Sequence, residues 1–203
     1  MIRAFLAIEL STELRAELAI VQQALKRSIE SEMKRDMRIS WVQPVSIHLT
    51  VKFLGDMDEQ VIDSLQGALE QTIGNQTAVN VPLEQLGAFP RPQSPRVLWV
   101  GASENWERGA NAQKVAGIHD AIEHACEGLG FLRETKPFSP HLTLARIRKG
   151  ERYVGAALTQ SGALDRSIML DSLAMKAVAL MKSDLRPTGS VYTKLWDVRL
   201  RGS

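Results

Sequence analysis

The sequence predicts an α+β fold: one domain over residues 1–201, made of two similar lobes about a central cleft. Each lobe is expected to be a mostly antiparallel sheet with its helices packed outside. Three observations point there. A tetrapeptide of one pattern is used twice, as His48-Leu49-Thr50-Val51 and as His141-Leu142-Thr143-Leu144. Short apolar, β-rich runs alternate with few helical stretches, and their hairpin-like turns argue against a doubly wound parallel sheet. No linker-like or low-complexity segment divides the 203 residues.

Residues 2–10 read as a first, largely buried strand. Ser11 or Thr12 then offers an N-cap, with Glu13 in the first turn. Leu14, Leu18, Val21, Leu25 and Ile29 follow as one apolar stripe of a helix reaching to about Arg35. Residues 38–42 form a short strand that Pro44 breaks. The first motif strand covers 47–54 and is closed by Gly55-Asp56. Asp58 caps a second helix, with Val61, Ile62, Leu65 and Leu69 on its buried side, and Gly74-Asn75 stops it. Residues 79–89 read as one long strand, followed by a rigid loop containing Pro90, Pro92 and Pro95 and then a strand over 96–102. The third helix spans 111–129 and ends at Gly130. After the stiff Lys136-Pro137-Phe138-Ser139-Pro140 segment comes the second motif strand, 141–147, and a short helix over 151–163. Residues 168–181 hold one long strand or two broken ones, 183–189 have turn composition, and 191–200 are the last strand. Gly202-Ser203 reads as native or as a cloning remnant and carries no structural weight.

Composition narrows the function classes. The hydrophobic fraction of 44% and charged fraction of 24% are those of an ordinary globular domain. No apolar run approaches the ~20 residues of a membrane span, and Met1-Ile2-Arg3 opens directly into a strand with no signal-peptide pattern. A cytoplasmic, reducing setting and a monomer are expected. Cys126, the only cysteine, falls in a helical stripe and is expected to be buried and inert. The net charge of +2 permits an anionic ligand, while a dedicated duplex binder carries a stronger basic bias.

The repeated motif carries the chemistry. In a strand, His48 and Thr50 share one face, and Leu49 and Val51 the other; His141, Thr143, Leu142 and Leu144 repeat the arrangement. Set side by side, the two strands give a cleft with two imidazoles and two hydroxyls. Imidazole gives or takes a proton at neutral pH, so a pair can divide the work of acid and base. Hydroxyls beside them can donate to oxygens that gain charge. Without a carboxylate or a metal, that set suits displacement at phosphorus. A lone His-x-Thr is weak evidence, but two of the four histidines stand in the same context. His119 and His124 are five apart on a helix, off the usual metal-binding spacing, and read as surface or packing residues. No glycine-rich phosphate loop and no nucleophile elbow is present. Arg146, Arg148, Lys149 and Arg152 read either as a solvated loop or as phosphate contacts. Strand alternation turns Arg146 away from Thr143, and so out of the cleft, unless the strand bends or bulges. Phe89, Phe138 and Trp41 flank the motif strands and are candidates either for base stacking or for the core.

The motifs resemble the signature pair of the two-histidine phosphoesterase superfamily. The stretches IRAFLAIEL, WVQPVSIHLTVKFLGD, LGAFPRPQSPRVLWVG, KPFSPHLTLARI and LMKSDLRPTGSVYT resemble, in order, the bacterial RNA 2′,3′-cyclic phosphodiesterases, also called LigT-like 2′-5′ RNA ligases. The resemblance implies His48 as proton donor to the leaving 3′ oxygen, His141 as the base on water, and Thr50 and Thr143 as phosphate binders. Arg146, Phe89, Phe138, Arg186 and Tyr192 are further candidates for substrate contact. The implied reaction opens an RNA-terminal 2′,3′-cyclic phosphate to a 2′-phosphate with no metal or cofactor. Its ligase sense joins such an end to a 5′-hydroxyl through a 2′-5′ bond. Two other readings keep the same residues: hydrolysis of 2′-5′ oligonucleotides or small cyclic phosphates, and a module that binds a nucleotide or RNA end without turnover.

Overall fold

The computed structural model describes residues 1–30, 37–166, 168–186 and 189–202. The first half comprises β1 (Ile2–Ile8), α1 (Thr12–Glu30), β2 (Arg38–Trp41), β3 (Leu49–Met57), α2 (Ile62–Ile73), β4 (Val79–Val81), β5 (Gln85–Phe89) and β6 (Val97–Gly101). Then follow α3 (Glu104–Glu107), α4 (Ala110–Glu127), β7 (His141–Lys149), α5 (Glu151–Ser161), β8 (Leu173–Met175), β9 (Ala177–Arg186) and β10 (Gly189–Arg199).

Local chemistry sets the boundaries. Ser11 Oγ accepts the Leu14 N–H at 3.1 Å and so starts α1. The expected continuation of that helix to Arg35 lies outside the described residues. Asp58 accepts the Gln60 N–H at 3.1 Å, capping the 3-10 turn that leads into α2. Gly130 takes φ +88°. Around it the Phe131 N–H bonds the Cys126 carbonyl at 3.1 Å and the Gly130 N–H bonds the Glu127 carbonyl at 2.9 Å, closing α4 as a left-handed cap does.

Three expectations are corrected. The long strand over 79–89 is two strands, β4 pairing β8 and β5 pairing β6 in a different sheet. Pro82 lies between them and has no N–H to continue a ladder. Gly55-Asp56 does not close the first motif strand: β3 continues to Met57 through a bulge in which Gly55 has φ +72°. Ser183 to Arg186, polar enough to read as a turn, are strand instead, laddered to β10 from Tyr192 back to Gly189. Pro187 and Thr188 lie outside the described residues. The short α3 had no sequence signal.

The α+β class stands, and the two lobes meet in one sheet. That sheet is 8-stranded, ordered β10-β9-β1-β3-β7-β6-β5 with β2 on β7, and a 2-stranded β4-β8 pair is separate. Among the described residues every pairing between these strands is antiparallel. One half contains β1, β3, β9 and β10, the other β2, β5, β6 and β7, and they join through Leu49 opposite Leu142. Beyond that pair, the edge of β7 is taken over by β2, which runs from Trp41 opposite Ala145 to Arg38 opposite Lys149. Helix α2 packs on α4 and β10, and α1 on α5. The side chains of Leu49, Val51, Leu142 and Leu144 all lie in the single buried core. Among the described residues no helix is long and apolar enough to cross a membrane.

Two buried polar groups tie helices to the motif strands. Gln22, inside the apolar stripe of α1, donates to the Val42 carbonyl at 2.7 Å and to the Leu144 carbonyl at 2.8 Å. Lys52 on β3 donates to Glu123 of α4 and to the Leu132 carbonyl, each at 2.8 Å. Burial alone would push the Glu123 carboxyl up, but the Lys52 ammonium and the Glu134 N–H outweigh it and hold it below the ordinary value. Replacing one partner leaves a charge buried and unpaired, which costs about 3 kcal/mol or more. Lys52→Met is therefore expected to lower unfolding stability in urea by about that amount, and K52M/E123M to recover most of it. Equal stability of wild type and K52M would show the pair to be dispensable.

Candidate active site

The pairing of Leu49 with Leu142 fixes where the motif residues stand. Antiparallel strands step in opposite directions, so His48 lies across from Thr143 and Thr50 across from His141. Each strand then carries one extra residue. Opposite β1, Thr50 pairs Ala7 and Lys52 pairs Leu6, leaving Val51 over. Opposite β6, Thr143 pairs Trp99 and Ala145 pairs Leu98, leaving Leu144 over. A bulge shifts the alternation by one residue. From His48 to Asp56 the succession of buried and exposed residues repeats that from His141 to Lys149, residue for residue. The bulge turns Arg146 back to the face of Thr143, and does the same for Phe53 with Thr50.

Both imidazoles are held alike. His48 Nδ1 lies 2.8 Å from the Ser46 carbonyl and His141 Nδ1 lies 2.8 Å from the Ser139 carbonyl. A carbonyl only accepts, so each Nδ1 carries the hydrogen and each neutral ring keeps Nε2 free for proton transfer. Aromatic rings flank both. Phe5 stands 4.7 Å and Tyr192 5.2 Å from His48, and Phe89 5.1 Å and Trp99 6.2 Å from His141. Gly87 makes room for Trp99: a Cβ there would sit 2.1 Å from the indole. Burial lowers the pKa of His48. The bond to Ser46 opposes that shift, and the charges of Arg146 and Arg15 add to it. Burial likewise lowers that of His141 against its bond to Ser139, with Arg146 adding to the shift.

The two histidines, both threonines and Arg146 line one cavity of about 340 Å³ on the open face of the sheet. Tyr192, a candidate contact, also lines it. Phe89 reaches the site through its contact with the His141 ring. Two expected contacts lie elsewhere. Phe138 stacks on His119 at 4.2 Å and packs against the core, because its segment lies over α4. Arg186 is exposed and outside the cavity: Ser183 and Leu185 line it, and alternation turns Arg186 to the other face. Arg148, Lys149 and Arg152 are also absent from its lining. Cys126 is buried, its thiol pushed up to about 11, in keeping with an inert role. Unanticipated members are Phe53, Arg3 and Phe5, which line the cavity, and the carbonyls of Ser46 and Ser139. The serines had a signal, since the repeat is longer than four residues: Ser46-Ile47-His48-Leu49-Thr50 against Ser139-Pro140-His141-Leu142-Thr143. Among the described residues no three His, Cys, Asp or Glu side chains are grouped to hold a metal ion.

Residues 24–175 match the model of the 2′-5′ RNA ligase superfamily. The chain belongs to that family. The RNA 2′,3′-cyclic phosphodiesterase of Methanothermobacter thermautotrophicus is 29% identical over 98% of this chain and 99% of its own length. That of Aeropyrum pernix is 32% identical over 80% of this chain and 86% of its own. The crystal structure of TT0787 of Thermus thermophilus superposes with a TM-score of 0.69 at 26% identity, covering 99% of both chains. The recurrent element of this superfamily member is thus a strand that presents an imidazole, a hydroxyl and, past a bulge, a third side chain.

Because burial and nearby cations both penalise imidazolium, both cavity histidines are expected to titrate below 6.5 in the free protein. Arg146→Met removes a cation that acts on both, so both should move up; Arg15→Met should move His48 and leave His141 in place. Nitrogen-15 NMR of the imidazoles reads both the titrations and the Nδ1–H tautomer. Titration at or above 6.5 in the wild type would contradict the burial argument.

Proposed function

We propose that this protein opens the 2′,3′-cyclic phosphate at an RNA end to leave a 2′-phosphate, by proton transfer between its two motif histidines. One observation carries the reading: two imidazoles, each with Nδ1 fixed by a carbonyl and Nε2 free, share a cavity with two hydroxyls and a guanidinium. The names of the relatives, RNA 2′,3′-cyclic phosphodiesterases, support the substrate class.

In this mechanism neutral His141 takes a proton from water through Nε2 as the water oxygen attacks phosphorus. The bond from phosphorus to the 3′ oxygen breaks, and His48, protonated, gives its Nε2 proton to that oxygen. Thr50 and Thr143 donate to the non-bridging oxygens, whose charge grows in the transition state. Arg146 adds a fixed positive charge to the same face. His48 ends neutral and His141 protonated, so proton exchange with solvent resets the pair. The diagonal placement of each histidine across from the other strand's threonine suits an acid and a base acting at opposite ends of one phosphate, as in-line displacement requires. The assignment of His48 as acid follows the family resemblance, and the product's regiochemistry checks it. The superfamily's name favours a second use of the same site. A 5′-hydroxyl in place of water would join the ends through a 2′-5′ bond with the same acid and base.

The deciding test is incubation of an oligonucleotide ending in a 2′,3′-cyclic phosphate with EDTA present, followed by phosphorus NMR. A 2′-phosphate is expected, with turnover undiminished by chelator; a 3′-phosphate would exchange the oxygen that leaves. His48→Ala and His141→Ala should each lower turnover by about 10²–10⁴. Wild-type rates in both variants would overturn the assignment. The dependence of kcat/KM on pH should be bell-shaped, because one histidine must be charged and the other neutral. Both free-protein values are lowered, so both limbs move to acid and the midpoint falls below 6.5. A plateau through pH 8 would rule out paired histidine catalysis.

A further inference from the structure

A second cavity, of about 420 Å³, lies on the far side of His48 and Tyr192, which also wall the first. The two share Ser46 and Ser190 as well, so a ligand in one can continue into the other. The second is lined by Arg15, Glu9 and Lys194. Glu9 and Lys194 satisfy each other at 2.7 Å, and Asp197 adds a contact to Lys194 at 3.2 Å. Arg15 has no such partner. Its Nε is buried without a hydrogen-bond acceptor, and no ion pair involves its guanidinium among the described residues. Buried donors are almost always paired in folded proteins, so a half-buried, unpaired guanidinium at a cavity wall calls for an anion from outside the chain. Its planar fork matches two oxygens of a phosphate.

The proposed reaction gives this cavity a direction, and the following inference rests on that reading. If His48 protonates the leaving 3′ oxygen, the ribose stands beside His48. Its 5′ carbon then leads away from the two threonines, past His48 and Tyr192. The first group met along that path is the phosphate on the 5′ oxygen. We propose that Arg15 and the cavity beyond His48 form a subsite for the phosphate on the 5′ oxygen of the nucleotide whose cyclic phosphate is opened. In an RNA end that group is the diester joining the last two nucleotides; in a mononucleotide it is a 5′-monophosphate. The subsite makes the protein a reader of chain ends in preference to bare nucleosides. It also gives the first turn of α1 a role in substrate choice that neither repeated motif encodes.

The test compares kcat/KM for three substrates. They are adenosine 2′,3′-cyclic phosphate, the same compound with a 5′-phosphate, and a diadenosine ending in a 2′,3′-cyclic phosphate. The wild type is expected to prefer the second and third over the first by about tenfold, the lower end of what a charge-assisted hydrogen bond contributes. Arg15→Gln should abolish that ratio, and Arg15→Lys should keep most of it. Using the ratio cancels the influence of Arg15 on His48, which acts on all three substrates equally. Preference for the diadenosine alone would assign the subsite to the chain diester rather than to any 5′-phosphate. A wild type without preference, or an R15Q variant that keeps it, would overturn the subsite. Calorimetric binding of adenosine 2′,5′-bisphosphate against adenosine 2′-phosphate reads the same contact without turnover. The bisphosphate should bind about tenfold tighter to the wild type and no tighter to R15Q. Equal binding in the wild type rejects the subsite even if catalysis is intact. The expected binding difference with no hydrolysis of any substrate rejects the catalytic reading and keeps the subsite.

Discussion

The site depends on one backbone pairing, Leu49 against Leu142, where the two half-sheets meet. It is antiparallel, so it relates the two motif strands by an approximate two-fold axis and sets each histidine across from the other strand's threonine. A shift of one residue in either strand would send its imidazole and hydroxyl into the core and its leucines into the cavity. Such a shift is opposed by the burial of Leu49, Val51, Leu142 and Leu144, all within one apolar cluster. The packing that stabilises the fold is therefore also what holds register at the cleft.

The bulges after the threonines complete that arrangement. They let a strand commit two neighbours in a row to the interior and return the next side chain to the cavity. In one strand the pair is Leu144 and Ala145, followed by Arg146; in the other it is Val51 and Lys52, followed by Phe53. The two-fold likeness of the backbone thus carries unlike chemistry, a cation on one side and an aromatic ring on the other. A phosphate has charge and a nucleoside has a face, and the pair of side chains past the bulges offers something to each. The interior halves of the bulges differ as well. Gln22 donates to the Leu144 carbonyl, which also accepts the Val42 N–H, while Glu123 answers the ammonium of Lys52. Each helix layer is fitted to its own strand by a buried polar contact.

Electrostatics follow from the same geometry. Aromatic neighbours exclude water from both imidazoles, and cations stand near them, so both rings favour the neutral state when the cavity is empty of substrate. A bound phosphate brings the negative charge that makes imidazolium favourable again. In the proposed reaction the protonated histidine is then reached with the anion in place, which would couple charge recognition to chemistry.

How much of this could be read from residue order differs from feature to feature. The repeated His-Leu-Thr pattern, its apolar face and the helices with their caps at Ser11 and Gly130 are local: each depends on residues within a turn or two, and the alternation of two and 3.6 is written in the chain. The one long strand expected over 79–89 failed because Pro82 divides it, and the turn expected at 183–186 failed because pairing with β10 outweighs a polar composition. Arg146 shows the limit most clearly. Alternation alone turns it outward, and only the pairing of β7 with β6 shows the extra residue at Leu144 that turns it in. Phe138 and Arg186 were close to the motifs or the resemblance in sequence and lie outside the cavity, since proximity along a chain does not fix the face a side chain takes. Arg15, Phe53 and Tyr192 come from three different elements and meet at the cleft only when the sheet is assembled. The sequence by itself determined which residue types are proposed to do the chemistry, because proton transfer needs imidazoles and the repeat names them. The tertiary structure decided which cations and rings surround them, because register, bulges and strand order are set by contacts between segments that the linear order leaves far apart.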